Sequence, residues 1–540
     1  MTQSESEEGA VPWWRGAVIY QIYPRSFYDS DNDGIGDLAG ITAKLDYVAS
    51  LGVDAIWLSP FFTSPMKDFG YDVADYRAVD PIFGTLEDFD RLMERAHALG
   101  LRVIIDQVYA HTSDAHVWFL ESRSDRSCAK SDWYVWADPK PDGTPPNNWL
   151  SVFYGPCWTW DGRRGQYYMH NFLPSQPNLN VHNPAVQEAL LDTARFWLAR
   201  GVDGFRLDAI NFAMHDPSLA DNPPVTVTNA FFNRPFDFQH HLHNQSQPEL
   251  VPFIEKLAEV MHEFGADRFT VAEVGGEQAL AEMKLYTEGQ ARLNTSYSFD
   301  FLYAPQLSPG LVLNVLSKWP GGNGEGWPSW AFSNHDAPRV VTRWGGAQAG
   351  PDCAKLLLTL LMCLRGNVFL YQGEELGLTQ ADIPFDRLRD PEAIANWPLT
   401  LGRDGARTPM PWAEISPYAG FSTAEPWLPI PADHIASAVS KQDGDANSVL
   451  TIARELIELR RSSPIIRTGS FQSLDLPLPL LGFDRVDETG RLRCLFNLAD
   501  KVQDCALLAS GELLFATGPV DQGKKSLGAL AACILEMPPE

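Results

Sequence analysis

Asp208, Glu273 and Asp336, with Arg206 and two histidines near them, are the side chains in this sequence best suited to do chemistry. Arg206 and Asp208 stand two apart in G-V-D-G-F-R-L-D-A-I-N, which begins at Gly201. In extended chain both point to one side. A neighbouring guanidinium keeps a carboxylate ionised, which suits a nucleophile better than a proton donor, although the same pair fits a structural ion pair closing a strand. Glu273 follows T-V-A, an apolar setting that raises a carboxyl pKa and suits an acid/base. Asp336 follows His335 and could hold sugar hydroxyls and favour a distorted ring. One ionised and one protonated carboxyl group are what glycoside hydrolysis requires: one attacks the anomeric carbon and the other protonates the leaving oxygen, the two about 5–5.5 Å apart in retaining enzymes. The residues alone leave Asp208 and Glu273 interchangeable.

These groups need a scaffold that brings them to one place. Short apolar runs begin at Ala17, Val53, Leu101, Val202, Phe269, Tyr297, Trp330 and Asn367, with helical stripes between them. Ile41, Leu45, Val48 and Leu51 mark one such face, and Leu86, Phe89, Leu92, Met93 and Ala96 another. Alternation of this kind predicts a parallel sheet with helices packed on it, and eight strands predict a (β/α)8 barrel, an α/β fold whose chemistry sits at the C-terminal strand ends. Asp106 with His111, Arg206 with Asp208, Glu273, and Asn334–Asp336 all fall at such ends. The expected organisation is a barrel over residues 1–111 and 182–460, with 382–442 an irregular subdomain after strand eight. A loop-rich domain over 112–181, without helical period, is inserted after strand three, and a C-terminal antiparallel β domain spans 461–540.

The charge balance, 42 Lys+Arg against 69 Asp+Glu, gives −27 and argues against nucleic acid or anionic membranes as partners. Seven scattered cysteines show neither zinc spacing nor a disulfide framework. The start, M-T-Q-S-E-S-E-E-G-A, is polar and acidic, unlike a signal peptide. A cytoplasmic monomer or homodimer acting on a neutral small molecule is the expectation.

Taken together, D-Q-V-Y-A-H from Asp106, G-F-R-L-D from Gly204, A-E-V from Ala272 and F-S-N-H-D from Phe332 resemble, in order, the four signature segments of the α-amylase family of glycoside hydrolases, and Q-P-N-L-N from Gln176 resembles a further marker. The likeness runs from A-V-I-Y-Q-I-Y-P-R-S-F to R-T-P-M-P-W and points to the exo-acting α-glucosidase and oligo-1,6-glucosidase branch. It implies Asp208 as nucleophile, Glu273 as general acid/base and Asp336 as transition-state stabiliser. Arg206, His111 and His335 would contact the innermost glucose, Tyr71 would lie beneath it, and Asp68 with Arg403 would clamp its non-reducing end. The alternative for Asp68 and Arg403 is a surface pair. Where amylases carry a calcium-binding Asn this chain has Ala110, so no calcium is expected there.

D-S-D-N-D-G-I-G-D from Asp29 matches the opening of an oxygen-ligand Ca²⁺ loop, though position twelve is Gly40, not Glu. The loop resembles the divalent-metal loop of the same branch, with Asp29, Asp31, Asp33 and Asp37 as side-chain ligands and Ile35 offering its carbonyl to a structural Ca²⁺ or Mg²⁺; a solvated acidic turn is the alternative. Ala209, after the expected nucleophile, leans towards α-1,4 substrates such as maltose, since Val there accompanies α-1,6 preference in this branch. Phe153, Trp158 and Phe172 on the insert could favour an acceptor over water and so transglucosylation to sugars or alcohols. F-D-R-L-R-D-P from Phe385 resembles a stretch of sucrose-active relatives, unless Arg387 and Arg389 merely pair with Asp386 and Asp390. Oligo-1,6-glucosidase and sucrose-active glucosyltransferase stand as alternatives, and a non-catalytic sugar-binding relative as a remote one.

Overall fold

The computed structural model describes residues 11–226, 234–319, 326–400 and 402–539. The acidic start read above, residues 1–10, lies outside them. Eight parallel strands form the central sheet: β1 Val18–Ile22, β2 Ala55–Leu58, β3 Arg102–Val108, β4 Gly204–Asp208, β5 Phe269–Val274, β6 Thr295–Ser298, β7 Ser329–Ala331 and β8 Asn367–Tyr371. Their order is β6-β5-β4-β3-β2-β1-β8-β7, and a parallel bridge between Ser296 and Pro328 brings the edges β6 and β7 together. The Thr295 hydroxyl, 2.7 Å from Ser329 Oγ and 2.6 Å from the Trp327 carbonyl, reinforces that seam. The sheet is a (β/α)8 barrel.

Alternation along each strand sorts side chains into two cores. Ile19, Ala55, Trp57, Ile104, Phe269, Val271 and Phe369 point inward and pack together. Tyr20, Ile56, Val103, Ile105, Phe205 and Leu207 point outward against the helices. Gly204 opens β4 because a Cβ there would come within 2.4 Å of the Phe269 carbonyl oxygen. The helices form where the stripes predicted. In Leu86–Ala98, Phe89, Leu92, Met93 and Ala96 are buried, and Thr85 and Asp88 cap the first turn reciprocally.

The C-terminal ends of three strands fix where their polar residues fall. β4 includes Asp208 as its last residue, β6 stops at Ser298, and β7 ends at Ala331. Asn334, His335 and Asp336 therefore lie on the loop after β7, where the Asn334 carboxamide accepts the Asp336 and Ala337 backbone N–H groups.

Between β3 and the helix Pro184–Ala199 the chain leaves the barrel and builds a small antiparallel sheet from Trp136–Ala137, Gln166–Met169 and Trp158–Asp161. One short helix, Val117–Ser122, appears there despite the lack of helical period; only Phe119 and Ser122 are buried in it, so no full stripe was needed. The C-terminal part carries a five-stranded antiparallel sheet, with Leu480–Asp487, Gly490–Asn497 and Ala532–Glu536 as its inner strands. Arg485 fastens it to the barrel by donating to the carbonyls of Cys363, Ile466 and Gly469, each at 2.7 Å. No helix among the described residues is long and apolar enough to cross a membrane.

Candidate active site

Inward-facing residues at the C-terminal strand ends are polar. Asp106 and Arg206 are register partners on β3 and β4, so the backbone itself places their side chains together. Arg206 Nη1 donates to Asp106 Oδ1 at 2.6 Å and to Asp208 Oδ1 at 2.7 Å, and Nη2 lies 2.6 Å from Glu273 Oε2. Tyr297, from β6, donates to Glu273 Oε1 at 3.1 Å while its oxygen accepts from Arg206. Trp57 Nε1 holds the other oxygen of Asp106 at 2.9 Å. One buried guanidinium thus serves three carboxylates from three adjacent strands.

Burial sets the protonation of two of them. Burial pushes Asp208 up to about 7 and Glu273 up to about 7, and Arg206 opposes the rise in both without cancelling it. For Glu273 this matches the expectation. For Asp208 it departs from the expectation: burial outweighs the adjacent Arg206, and the negative charges of Asp106 and Asp336 add to the rise. Asp336 behaves oppositely. Burial acts to raise it, but the His335 Nε2–H beside it and the charges of Arg407 and Arg403 outweigh burial and hold it well below the usual carboxylate range. Arg407 Nη2 donates to Asp336 Oδ1 at 2.7 Å and Arg403 Nη1 at 3.3 Å. His335 is neutral, burial pushing it down to about 3. Its Nδ1 accepts from Gln21 at 2.8 Å, which leaves Nε2–H near Tyr71 Oη (2.6 Å) and Asp336 Oδ2 (3.1 Å).

Asp208, Glu273 and Asp336 line a cavity of ≈ 1030 Å³ together with Asp68, Tyr71, His111, Phe153, Phe172, Ala209 and Arg403, whereas Arg206 and His335, expected to contact the innermost glucose, are fully buried behind that lining. Asp68 and Arg403 are 4% and 6% exposed, so they are no surface pair. Arg403 Nη2 donates to Asp68 Oδ1 at 2.8 Å, and Gln176 Nε2 to Asp68 Oδ2 at 2.9 Å. With Asp336, which Arg403 also reaches, they form one linked polar wall of the cavity, here termed its floor. His111 is buried and pushed down to about 4, and its Nδ1 has no protein partner. The Phe172 ring stands 5.2 Å from His111 and 5.7 Å from Phe153, centroid to centroid. Trp158 is a correction: it packs on Trp149, bonds Asn147 at 2.7 Å and does not line the cavity. Phe212, Phe236, Phe299 and Tyr303 line it instead. Ala209 adopts a left-handed conformation, φ 37° and ψ 44°, and its N–H reaches Glu273 Oε2 at 3.3 Å.

Residue types alone missed several participants. Tyr297 and Gln21 are ordinary strand residues by sequence. Arg407 was within reach, four residues beyond Arg403 in R-D-G-A-R. In F-D-R-L-R-D-P the alternative of pairing within the segment does not hold for Arg387 and Asp390: Arg387 reaches Glu425 at 2.9 Å, and Asp390 binds Arg403.

On the loop after β1, carboxylate oxygens of Asp29, Asp31 and Asp37 lie within 4.8 Å of one another. Asp33 is outside that group and accepts the Ile35 N–H at 2.8 Å. Asp37 also caps the helix Leu38–Ser50, and Asp29 accepts from Ser422 of the segment after β8. Three converging carboxylates, one exposed and two buried, fit a hard divalent cation.

The alpha amylase catalytic-domain model matches residues 21–469. A protein of Rhizobium meliloti (strain 1021) named "Probable alpha-glucosidase" is 54% identical over 93% of both chains. An oligo-1,6-glucosidase of Heyndrickxia coagulans is 37% identical over 90% of this chain and 92% of its own. Among solved structures, the alpha-glucosyl transfer enzyme XgtA superposes with a TM-score of 0.93 at 52% identity, over 97% of this chain and 100% of that one. By these matches and the barrel that carries them, the chain belongs to the α-amylase family of glycoside hydrolases.

Proposed function

We propose that this α-glucosidase relative is a retaining, exo-acting enzyme that releases glucose from the non-reducing end of short α-1,4-linked oligosaccharides such as maltose. The observation that carries the reading is the single guanidinium of Arg206 holding Asp208 and Glu273, at 2.7 and 2.6 Å, at the edge of a cavity whose floor Asp68, Arg403 and Asp336 close. Asp208 attacks the anomeric carbon, Glu273 protonates the leaving oxygen and later activates water, and Asp336, fixed in the ionised form, takes hydroxyls of the distorted ring. A closed floor admits one sugar beyond the scissile bond, which makes the action exo. The carboxylates protonated at about pH 7 suit the first step, since one proton on the pair is what the leaving group requires.

Ala209 supports α-1,4 preference because the leaving side stays open beside a methyl group. The names of the relatives divide over the point, several being oligo-1,6-glucosidases and one, from Drosophila virilis, maltase 1. Initial rates on maltose and isomaltose test it: a strong maltose preference supports the reading, and a strong isomaltose preference replaces it with oligo-1,6-glucosidase. Asp208→Asn should cut turnover about 10³-fold or more while leaving sugar binding in place; unchanged turnover removes Asp208 from the mechanism. Transfer to sugar or alcohol acceptors is a second activity, favoured by the aromatic lining of the cavity and by likeness to a glucosyl-transfer enzyme. Asp29, Asp31 and Asp37 would hold a structural Ca²⁺ or Mg²⁺, which takes no part in the chemistry.

A further inference from the structure

Arg403 is a long side chain that must present two N–H groups to the cavity floor in one fixed geometry, and nothing in its own backbone enforces that. Asp390 does. Its carboxylate is fully buried and accepts Arg403 Nε at 3.1 Å, Nη2 at 2.9 Å and the Arg403 backbone N–H at 2.7 Å. It also accepts the Glu392 N–H at 3.1 Å, capping the short helix Pro391–Asn396. Asp390 is itself set from behind, because Asp404 Oδ2 accepts the Arg389 and Asp390 N–H groups at 2.6 and 2.9 Å. With one edge of the guanidinium occupied in this way, Arg403 turns its remaining donors to Asp68 and Asp336.

We infer that Asp390, from the segment after β8, is a positioning residue for the donor sugar: it fixes Arg403 so that the floor recognises the hydroxyls farthest from the anomeric carbon. The inference rests on the α-glucosidase reading above. On a pyranose ring C4 lies opposite C1, so with the anomeric carbon beside Asp208 and Glu273 the C4 hydroxyl meets the floor. Asp390 touches no sugar. Removing it frees Arg403 to rotate among several partners, which weakens donor binding more than it slows the reacting groups.

The test is a cycle of two changes, Asp390→Ala in the protein and removal of the C4 hydroxyl from p-nitrophenyl α-glucoside. In the wild type, deleting that hydroxyl should cost about 10- to 100-fold in kcat/KM, the loss expected for a hydrogen bond to a charged group. In D390A the parent glucoside should show a raised KM with kcat much less affected, and the further cost of deleting the hydroxyl should shrink towards none. Such coupling marks residues that act together, and a merely structural role would lower Tm without producing it. Should D390A fail to fold, D390N decides, since its amide oxygen still accepts from Arg403 without the charge; an intermediate cost supports the proposal. The same full hydroxyl cost in wild type and variant overturns the role of Asp390 and leaves the α-glucosidase reading standing. A wild type that does not cleave the parent glucoside overturns that reading and this proposal with it.

Discussion

Arg206 has one positive charge and three carboxylates around it, so at least one proton stays on the group near neutral pH. A narrow bell should follow: kcat/KM falls below about pH 7 as Asp208 takes up a proton and above it as Glu273 loses one. In the variant D208N the negative charge that helps to raise Glu273 is gone, so Glu273 should titrate lower than in wild type. Infrared or ¹³C titration of the labelled Glu273 carboxyl reads this, and an unmoved or higher pKa would contradict it. Ala209 allows a second prediction. At φ 37° a β-branched side chain is strained, so Ala209→Val should lose about 1–3 kcal/mol of stability, seen as a lower Tm. It should also lower the maltose-to-isomaltose rate ratio; an unchanged ratio would remove Ala209 as a determinant. Residue types at fixed spacing made Asp208, Glu273 and Asp336 legible in the sequence. The raised pKa of Asp208 was not, because a string displays Arg206 two places away and hides how deeply the fold buries Asp208 and that Asp106 and Asp336 stand near it.

At the scale of elements, the eight strands and their flanking helices were legible because period-2 and period-3.6 patterns report which faces are buried. Strand ends were less so. β7 stops at Ala331, and what fixes Asn334–Asp336 beyond it is a turn built by the Asn334 side chain, which no periodicity announces. In the segment after β8 the resemblance made the Asp68–Arg403 pair legible across 335 positions, whereas Asp390, which holds Arg403 from behind, was not. The loop after β1 offers a test at this scale. Asp31 is exposed, whereas Asp37 also caps a helix. Added Ca²⁺ should therefore raise the Tm of the chelator-treated wild type, and Asp31→Ala should abolish that rise without lowering the Tm measured in chelator. Asp37→Ala should do both, the lost cap costing about 1 kcal/mol. A full Ca²⁺ response in D31A would exclude that residue as a ligand.

For the whole molecule, buried groups of both kinds set the pH of greatest stability. Asp208 and Glu273 are pushed up to about 7 and Glu374 up to about 8, so the folded chain holds protons that the unfolded chain releases, and stability falls as pH rises through that range. His111, His170, His215 and His434 are each pushed down to about 4 by burial. Their contribution is present above the unfolded value of about 6.5 and is lost as pH falls below it. Tm at constant ionic strength should therefore peak near pH 6–6.5, by about the point where the two trends cross; a Tm still rising at alkaline pH would contradict this. The floor of the cavity has one more consequence, which concerns traffic. Under the exo reading proposed above, the leaving part of the substrate and the incoming water share one cavity, so departure has to precede entry. Free glucose would then compete with substrate for that space and slow turnover.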